Sequence, residues 1–238
     1  MRTLLAFRHG EAAVNRPDLF VPGDEDRTYP LTETGALQAR EAGVWAVETF
    51  DWVRAGTYVV AVSEFARAQQ TYQFMGLPKT PLLVHPGLNE QDWGDFMSAD
   101  PPEGLRASFD ADYVTHIAAK APHGESTLDL YNRLRAALSD LTLGFGDASM
   151  ILVTHGRALM VLRMILEGVP PTDAGWRFVR GNAAELSNCG ALYYPDLRLP
   201  LIAADPNGRL AALVPPYSPF ASIPWQPYLG AVFGSYPS

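Results

Sequence analysis

Five side chains that could handle a phosphoryl group follow four short apolar runs of the sequence. They are two arginines, two histidines and a glutamate: Arg8, His9, Arg67, Glu90 and His155. Two guanidinium groups and one imidazole can neutralise a phosphoryl group, while a second imidazole can attack phosphorus. A glutamate can protonate the leaving oxygen and later deprotonate water. These residue types together predict phosphoryl transfer, with either histidine as the nucleophile at this stage.

Taken singly, each of these residues also has a purely structural interpretation. An arginine beside a histidine in a loop is usually a surface or structural pair, and a loop glutamate such as Glu90 is usually solvated. Arg67, on the first turn of a predicted helix, could simply pair with Glu64 three residues earlier. Their joint occurrence after successive strands is what favours chemistry.

The apolar runs that precede these residues are predicted to be strands of one sheet. They cover residues 3–7, 57–62, 82–85 and 149–154. Helices are predicted between and after them, at residues 32–50, 65–75, 126–143 and 158–166. Alternating strands and helices indicate an α/β fold, here a three-layer α/β/α sandwich with a mostly parallel central sheet. Ligands of such sheets bind beyond the carboxyl ends of the strands, where the five side chains are expected to meet.

Two of the predicted helices carry clear start signals and apolar faces. The first has Thr32 as a candidate N-cap, and its apolar residues recur at helical spacing: Leu37, Val44, Ala46 and Val47. The third has Ser126 as a candidate N-cap and a stripe of leucines: Leu130, Leu134, Leu138 and Leu141. We expect both faces to be buried against the sheet.

The chain is predicted to form one α/β domain, residues 1–194, with two departures from its regular pattern. Residues 93–124 contain three prolines and a weak helix signal from Leu105 to Ala119, which predicts a small, partly helical cap inserted over one edge of the sheet. Residues 195–238 are rich in proline and aromatic residues, too apolar for a solvated tail. We expect this extension to pack on the domain or on the second subunit of a homodimer.

The composition narrows the function classes. A net charge of −8 argues against a nucleic-acid-binding surface. Cys189 is the only cysteine, so no internal disulfide can form, which fits a reducing compartment. The first apolar run is too short for a signal peptide, so we expect none, and no apolar run approaches the ~18 residues that a membrane span needs. The expectation is a cytoplasmic protein whose partner is a small phosphorylated molecule, not nucleic acid or a membrane.

Six segments, in order, resemble motifs of the histidine phosphatase, or phosphoglycerate mutase-like, superfamily. They are RHGEAAVN (8–15), PLTETGALQA (30–39), SEFARAQQT (63–71), LNEQDWGDF (88–96), HGES (123–126) and VTHG (153–156). The resemblance covers most of residues 3–192, and six ordered segments make chance agreement negligible.

The resemblance implies a role for each matching residue. His9 would be the nucleophile that becomes phosphorylated, and Glu90 the general acid and base. His155 would stabilise the charge of the transition state. Phosphate binding is implied for five residues: Arg8, Arg67, His155, Asn15 and Gly156. No metal and no cofactor are implied, because the arginines supply the positive charge.

Two further residues of the first motif are given supporting roles. Gly10 would let the backbone turn closely beneath the phosphate, and Glu11 would hold the loop locally.

The segments around the motifs favour phosphatase over mutase activity. LRASFDADY (105–113) only partly matches the mutase cap pattern RRSFDxPPP, with Ala107 in place of the second arginine, and FVPGDED (20–26) departs from the mutase pattern FxGWxD. EQDWG (90–94) looks closer to the broad-specificity phosphatases. The predicted function is hydrolysis of phosphate monoesters. Phosphoglycerate mutase-type phosphotransfer and a non-catalytic, phospho-ligand-binding scaffold are the alternatives.

Overall fold

The structure, a computed structural model, describes residues 3–105, 115–182, 186–195 and 197. Its strands are β1 (Leu4–Arg8), β2 (Tyr58–Val62), β3 (Leu82–Val84), β4 (Ser149–Thr154) and β5 (Ala191–Tyr194). Its α-helices are α1 (Glu33–Thr49), α2 (Asp51–Arg54), α3 (Ala66–Met75), α4 (Thr127–Phe145), α5 (Gly156–Leu166) and α6 (Asp173–Asn182). Short 3₁₀ turns occupy Ala13–Asn15, Asp26–Thr28, Pro86–Leu88 and Gly94–Met97.

The five strands form one sheet in the order β3-β2-β4-β1-β5. The first four are parallel, and β5 runs antiparallel to β1. In the register of the sheet, Arg8 lies opposite Thr154, and Val62 lies opposite Val153. The residues that follow β1, β2 and β4 therefore emerge at the same edge. The prediction of a mostly parallel α/β sheet is confirmed, while β5 was not predicted.

Each face of the sheet carries its own hydrophobic cluster, because successive strand residues point to opposite faces. Leu4 and Ala6 pack with leucines of α4 and with Trp176 of α6, whereas Leu5 and Phe7 pack with Ala39 and other residues of α1 and α3. All four of these β1 residues are fully buried. Helices thus cover both faces, as the three-layer prediction requires.

The buried face of helix α1 consists of small residues and is not the apolar face that was predicted. Its buried positions are Gly35, Ala39, Ala42, Gly43 and Ala46. Leu37 and Val44 are exposed, at 50% and 56% of their surface. The physical reason is a close approach between helices, since a Cβ on Gly43 would overlap the carbonyl oxygen of Met75 at the end of α3. Leucine or valine side chains cannot fit such a contact.

Helix α4 follows its prediction. The Ser126 hydroxyl accepts a hydrogen bond from the Asp129 N–H, and the Asp129 carboxylate accepts one from the Ser126 N–H, at 3.0 Å each. This capping box satisfies two amides at the start of the helix. All four leucines of the predicted stripe are buried.

The predicted cap and extension are only partly within the described residues. Residues 115–119 form turns, so the helix predicted from Leu105 to Ala119 does not reach that far, and residues 106–114 lie outside the described part. Ile117 is buried in the cluster beneath α4 and α5, and its N–H donates to Asp173 Oδ1 at 2.8 Å. The extension, apart from residues 195 and 197, also lies outside, so both domain boundaries stay predictions. Among the described helices, none is long and apolar enough to cross a membrane.

Candidate active site

The ends of two neighbouring parallel strands, β1 and β4, bring the predicted histidines together. The His9 N–H donates to the Thr154 carbonyl at 2.9 Å, which ties the residue after β1 to the end of β4. His155 follows Thr154, and the two imidazole rings lie with centroids 5.1 Å apart. The Arg8 side chain lies against Gly156, where a Cβ would be 3.5 Å from Arg8 Nε. The structure therefore gathers both motif histidines and Arg8 at one sheet edge, as predicted.

His9 is held as a neutral imidazole with one nitrogen already engaged. Its Nδ1 lies 2.7 Å from the Gly10 carbonyl oxygen, and because a carbonyl only accepts, Nδ1 carries the proton. Burial lowers the pKa of His9 well below its usual 6.5, and the charges of Arg67 and Arg8 lower it further, against the opposing effect of the Gly10 bond. Nε2 consequently keeps a lone pair, which is what a nucleophile needs. Burial is the larger cause of the lowered pKa, ahead of the two arginines.

Arg67 is almost completely buried and pairs with Asp26, not with Glu64. Its Nη1 donates to the Asp26 carbonyl at 2.7 Å and to Oδ1 at 2.9 Å, and Nη2 donates to Oδ2 at 3.3 Å. The Phe65 ring lies 4.6 Å from the centre of the guanidinium group. Within the described residues, the buried Nε has no hydrogen-bond partner. The other two nitrogens of the guanidinium group are both bound to Asp26.

His155 lies at the end of a hydrogen-bonded chain through Ser63 and Asn89. The Ser63 hydroxyl contacts Asn89 Oδ1 at 2.9 Å and His155 Nε2 at 2.8 Å. Since the amide oxygen can only accept, the hydroxyl proton points to Asn89 and Nε2 donates to Ser63. Burial, followed by Arg67 and His9, lowers the pKa of His155 well below 6.5. Nδ1 is buried and has no partner among the described residues.

The Glu90 carboxylate lies at the N-terminus of α5. The amides that it binds there belong to the two residues that follow His155 and Gly156. The carboxylate accepts hydrogen bonds from the backbone N–H groups of Arg157 and Ala158, both at 3.2 Å. It also accepts from the N–H of Gln91 at 3.0 Å. Three backbone amides thus fix the position of the Glu90 carboxyl group. Glu90 is thereby fixed to the same helix start that carries His155.

The sequence profile of the family described as "Histidine phosphatase superfamily (branch 1)" matches residues 4–188. The chain belongs to the histidine phosphatase superfamily. Its curated relatives include proteins named as mutases and proteins named as phosphatases. The 2,3-bisphosphoglycerate-dependent phosphoglycerate mutase of Azorhizobium caulinodans is 31% identical over 205 residues, which cover 80% of this chain and 93% of the relative. The uncharacterized phosphatase PhoE of Bacillus subtilis is 26% identical over 75% of this chain and 84% of its own.

Solved structures of the superfamily share the fold. A mycobacterial glucosyl-3-phosphoglycerate phosphatase, solved with VO3, superimposes with a TM-score of 0.61 at 21% identity. The match covers 81% of this chain and 92% of that protein. At 21% identity, this similarity is evidence for a shared fold only.

In this member of the superfamily, the glycine and glutamate of the RHGE motif support the loop. A Cβ on Gly10 would overlap the carbonyl oxygen of Gly35, so glycine is needed where the loop crosses the first turn of α1. The Gly10 N–H donates to Thr71 Oγ1 at 3.0 Å. The Glu11 carboxylate accepts the hydroxyl of Thr32, the N-cap of α1, at 2.6 Å. Glu11 therefore holds the loop locally, as expected.

Among the predicted phosphate ligands, Asn15 and Gly156 have the least structural support. The Asn15 side chain is exposed, and its Oδ1 accepts from the Ala12 N–H at 3.1 Å, which closes a local turn. Gly156 leaves room for the Arg8 side chain above it. Phosphate binding by either residue stays a prediction.

Sequence reasoning missed five residues that contact the site or its loops. They are Asp26, Ser63, Asn89, Glu125 and Arg133. Three of them stand inside the quoted motifs, at a strand end or beside the predicted acid, so their positions carried a usable signal. Asp26 and Arg133 carried none, because each reaches the site through tertiary packing.

A cavity of about 450 Å³ borders the cluster. It is lined by Phe65, which stacks near His155, and by Asp26 and Glu90. Six carboxylates and two arginines line it: Glu25, Asp26, Glu64, Glu90, Asp92 and Glu125, with Arg27 and Arg133. The lining does not include His9 or Arg67.

Proposed function

We propose that this superfamily member is a metal-independent phosphatase that hydrolyses phosphate monoesters through a phosphohistidine on His9. The observation that carries the proposal is the state of His9, a buried neutral imidazole with its proton on Nδ1. Arg67 and His155, both buried, each present a nitrogen that has no partner among the described residues. A buried polar atom left unpaired costs about 1–3 kcal/mol. A phosphoryl oxygen would relieve that cost at the Arg67 Nε–H, and at His155 Nδ1 once that nitrogen is protonated.

The first chemical step forms the phosphoenzyme. Nε2 of His9 attacks phosphorus, a P–N bond forms, and the ester P–O bond breaks as Glu90 gives a proton to the departing alcohol. Arg8 and Arg67 neutralise the phosphoryl oxygens during the transfer. His155 can donate to one of them only after it takes up a proton at Nδ1, because Nε2 already donates to Ser63.

The second step returns the enzyme to its starting state. Glu90, now ionised, takes a proton from a water molecule that attacks phosphorus. The P–N bond breaks, inorganic phosphate leaves, and His9 is neutral again. The proton that Glu90 gives to the alcohol is replaced by the one that it takes from water, and His155 releases to solvent the proton that it took up from solvent at Nδ1.

The charge of the adjoining cavity favours hydrolysis of simple monoesters over mutase activity. A phosphoglycerate carries a carboxylate beside its phosphate. The cavity lining keeps more carboxylates than arginines even after Asp26 pairs with Arg67 and Glu125 pairs with Arg133, which disfavours a second negative group. Mutase activity is the second candidate, since a relative 31% identical to this chain bears that name. We further propose the cytoplasm as compartment, which the single cysteine supports.

The test is a pair of assays on the purified full chain in the presence of a chelator. We expect phosphate release from a panel of alkyl and sugar monophosphates, lost in His9→Ala. We expect no interconversion of 2- and 3-phosphoglycerate when 2,3-bisphosphoglycerate is supplied. Interconversion faster than phosphate release would overturn the phosphatase assignment in favour of the mutase, and absence of both would leave a binding protein.

A further inference from the structure

Arg133 of α4 makes an unusual number of contacts with the loop that carries Glu90. Its Nη1 donates to the backbone carbonyls of Pro86, Gly87 and Asn89 at 3.1–3.2 Å. Its Nη2 donates to the carbonyl of Glu90 itself at 3.1 Å. One guanidinium group thus binds four carbonyls on the short path between β3 and the predicted acid.

Glu125 of the HGES motif fixes that guanidinium group from the other side. Arg133 Nε donates to Glu125 Oε1 at 2.8 Å, and Nη2 donates to Oε2 at 2.7 Å, which is a bidentate pair. Glu125 also binds the far side of the loop, because its Oε2 accepts from the Asp92 N–H at 3.1 Å. The Gln91 side chain donates to the Glu125 carbonyl at 2.8 Å.

These contacts bracket Glu90 on both sides. The Arg133 bonds end at the Glu90 carbonyl, and the Glu125 bonds begin at the next two residues. The Glu90 side chain then reaches the amides at the start of α5. The backbone from which this carboxylate projects is therefore held by a planar, five-donor group that a lysine cannot imitate.

We propose that Arg133 is a positioning residue for Glu90, and that Glu125 orients Arg133 for this purpose. The inference rests on the proposed function, in which Glu90 protonates the leaving oxygen. Proton transfer requires the carboxyl group within hydrogen-bond reach of that oxygen, and a misplacement of ~1 Å can cost about 10²-fold in rate. Loss of Arg133 would release the loop and withdraw the acid without touching the nucleophile.

A comparison of substrates with different leaving groups distinguishes this positioning role from general structural support. An alkoxide leaves poorly without a proton, whereas nitrophenolate leaves readily without one. We expect Arg133→Met to slow the burst of phosphoenzyme formation from an alkyl phosphate by roughly 10–10²-fold, and from nitrophenyl phosphate by less than about threefold. Arg133→Lys should fall between the wild type and Arg133→Met. Both rates are measured at saturating substrate.

A matched control is available on α5. Arg163 forms a bidentate pair with Glu167 at 3.0 and 3.3 Å, and its side chain is of similar exposure. Arg163→Met should lower the melting temperature while leaving the ratio of alkyl to nitrophenyl burst rates unchanged. If Arg133→Met also leaves that ratio unchanged, Arg133 is structural only and the inference fails.

Arg133 also lines the cavity, so direct substrate binding is an outcome to distinguish. A binding role would raise KM for the alkyl phosphate and leave the burst rate at saturation unaltered, which would overturn the inference. The double variant Arg133→Met with Glu90→Gln provides the coupling test. The burst rate of the double variant should be no slower than that of Glu90→Gln alone. Once the acid has been removed, moving its backbone has no further effect on the rate. Additive losses would contradict the assignment.

Failure of the inference and failure of the proposed function give different results. If Glu90→Gln itself slows both substrates equally, Glu90 is not the leaving-group acid, and the next carboxylate to examine is Asp92. If Glu90→Gln is selective and Arg133→Met is not, only the positioning role falls.

Discussion

The carboxylate of Asp26 binds the guanidinium group of Arg67 at the place where a phosphoryl group is expected. Both carboxylate oxygens take part, at 2.9 and 3.3 Å, and the Asp26 carbonyl adds a third contact at 2.7 Å. Asp26 lies in the segment between Asn15 and α1, which reaches the site only through tertiary packing. A phosphate bound by Arg67, as the proposed function requires, would share this buried cation with Asp26.

We expect Asp26→Asn to tighten binding of oxyanions. The substitution keeps an oxygen that can accept from Arg67 and keeps the backbone carbonyl contact, but it removes a negative charge beside the phosphate site. The inhibition constant of orthovanadate or phosphate should fall roughly three- to tenfold, equivalent to about 0.7–1.4 kcal/mol. Asp24→Asn, at an exposed position two residues away, is the control and should change little. Weaker inhibition in Asp26→Asn would mean that Asp26 chiefly holds Arg67 in place.

The two buried histidines should make the fold less stable in acid. Burial lowers the pKa of His9 and of His155 well below the 6.5 expected in the unfolded chain. Below pH 6.5 the unfolded state therefore binds more protons than the native state, and stability falls with pH, by up to about 1.4 kcal/mol per pH unit for each group. The stability is fully present above 6.5 and is lost as pH drops towards the native-state values.

Thermal melting between pH 7.5 and 5 measures this effect. The melting temperature should decline below about pH 6.5, and the decline should be shallower in His155→Asn, which removes one of the two groups. Vanadate or phosphate should also reduce the decline, because an anion beside His155 favours its protonated form. An equal slope in wild type and His155→Asn would show that other groups govern the acid response.

Gly35 should tolerate no side chain. A Cβ at this position would overlap the Glu11 carbonyl oxygen, in the loop that carries His9. Gly35→Ala should cost at least 1–3 kcal/mol of unfolding free energy, the usual cost of overpacking, and should reduce activity by displacing the loop. Gly144→Ala is the matched control in α4, where a Cβ would meet nothing within 4 Å, and it should be neutral or slightly stabilising. Chemical denaturation of both variants checks the expectation.

The strands and the strand-end residues could be predicted because their signals are local. Short apolar runs mark β1, β2, β3 and β4, and in a parallel sheet their ends meet at one edge whatever the details of packing. This is why Arg8, His9 and His155 could be placed together from the sequence. The antiparallel strand β5 was not predicted, since what places it in the sheet is its pairing with the distant strand β1.

Features that depend on how elements approach each other were mispredicted or missed. The apolar residues Leu37 and Val44 suggested the buried face of α1, but the close contact at Gly43 selected small residues instead. The purely structural interpretation paired Arg67 with Glu64, three residues earlier, yet Asp26 reaches it from a distant loop. Neither contact has a spacing signature in the chain.

The central claim is that His9 accepts the phosphoryl group, and trapping the intermediate tests it most directly. The full chain is mixed briefly with nitrophenyl phosphate, quenched under denaturing alkaline conditions and digested for mass spectrometry. Phosphate should be found on the peptide that contains His9, stable in base and labile in acid. His9→Ala should lose the label and at least roughly 10³-fold in turnover, the scale expected for a covalent nucleophile. Label on the His155 peptide instead, or near-normal turnover in His9→Ala, would contradict the account.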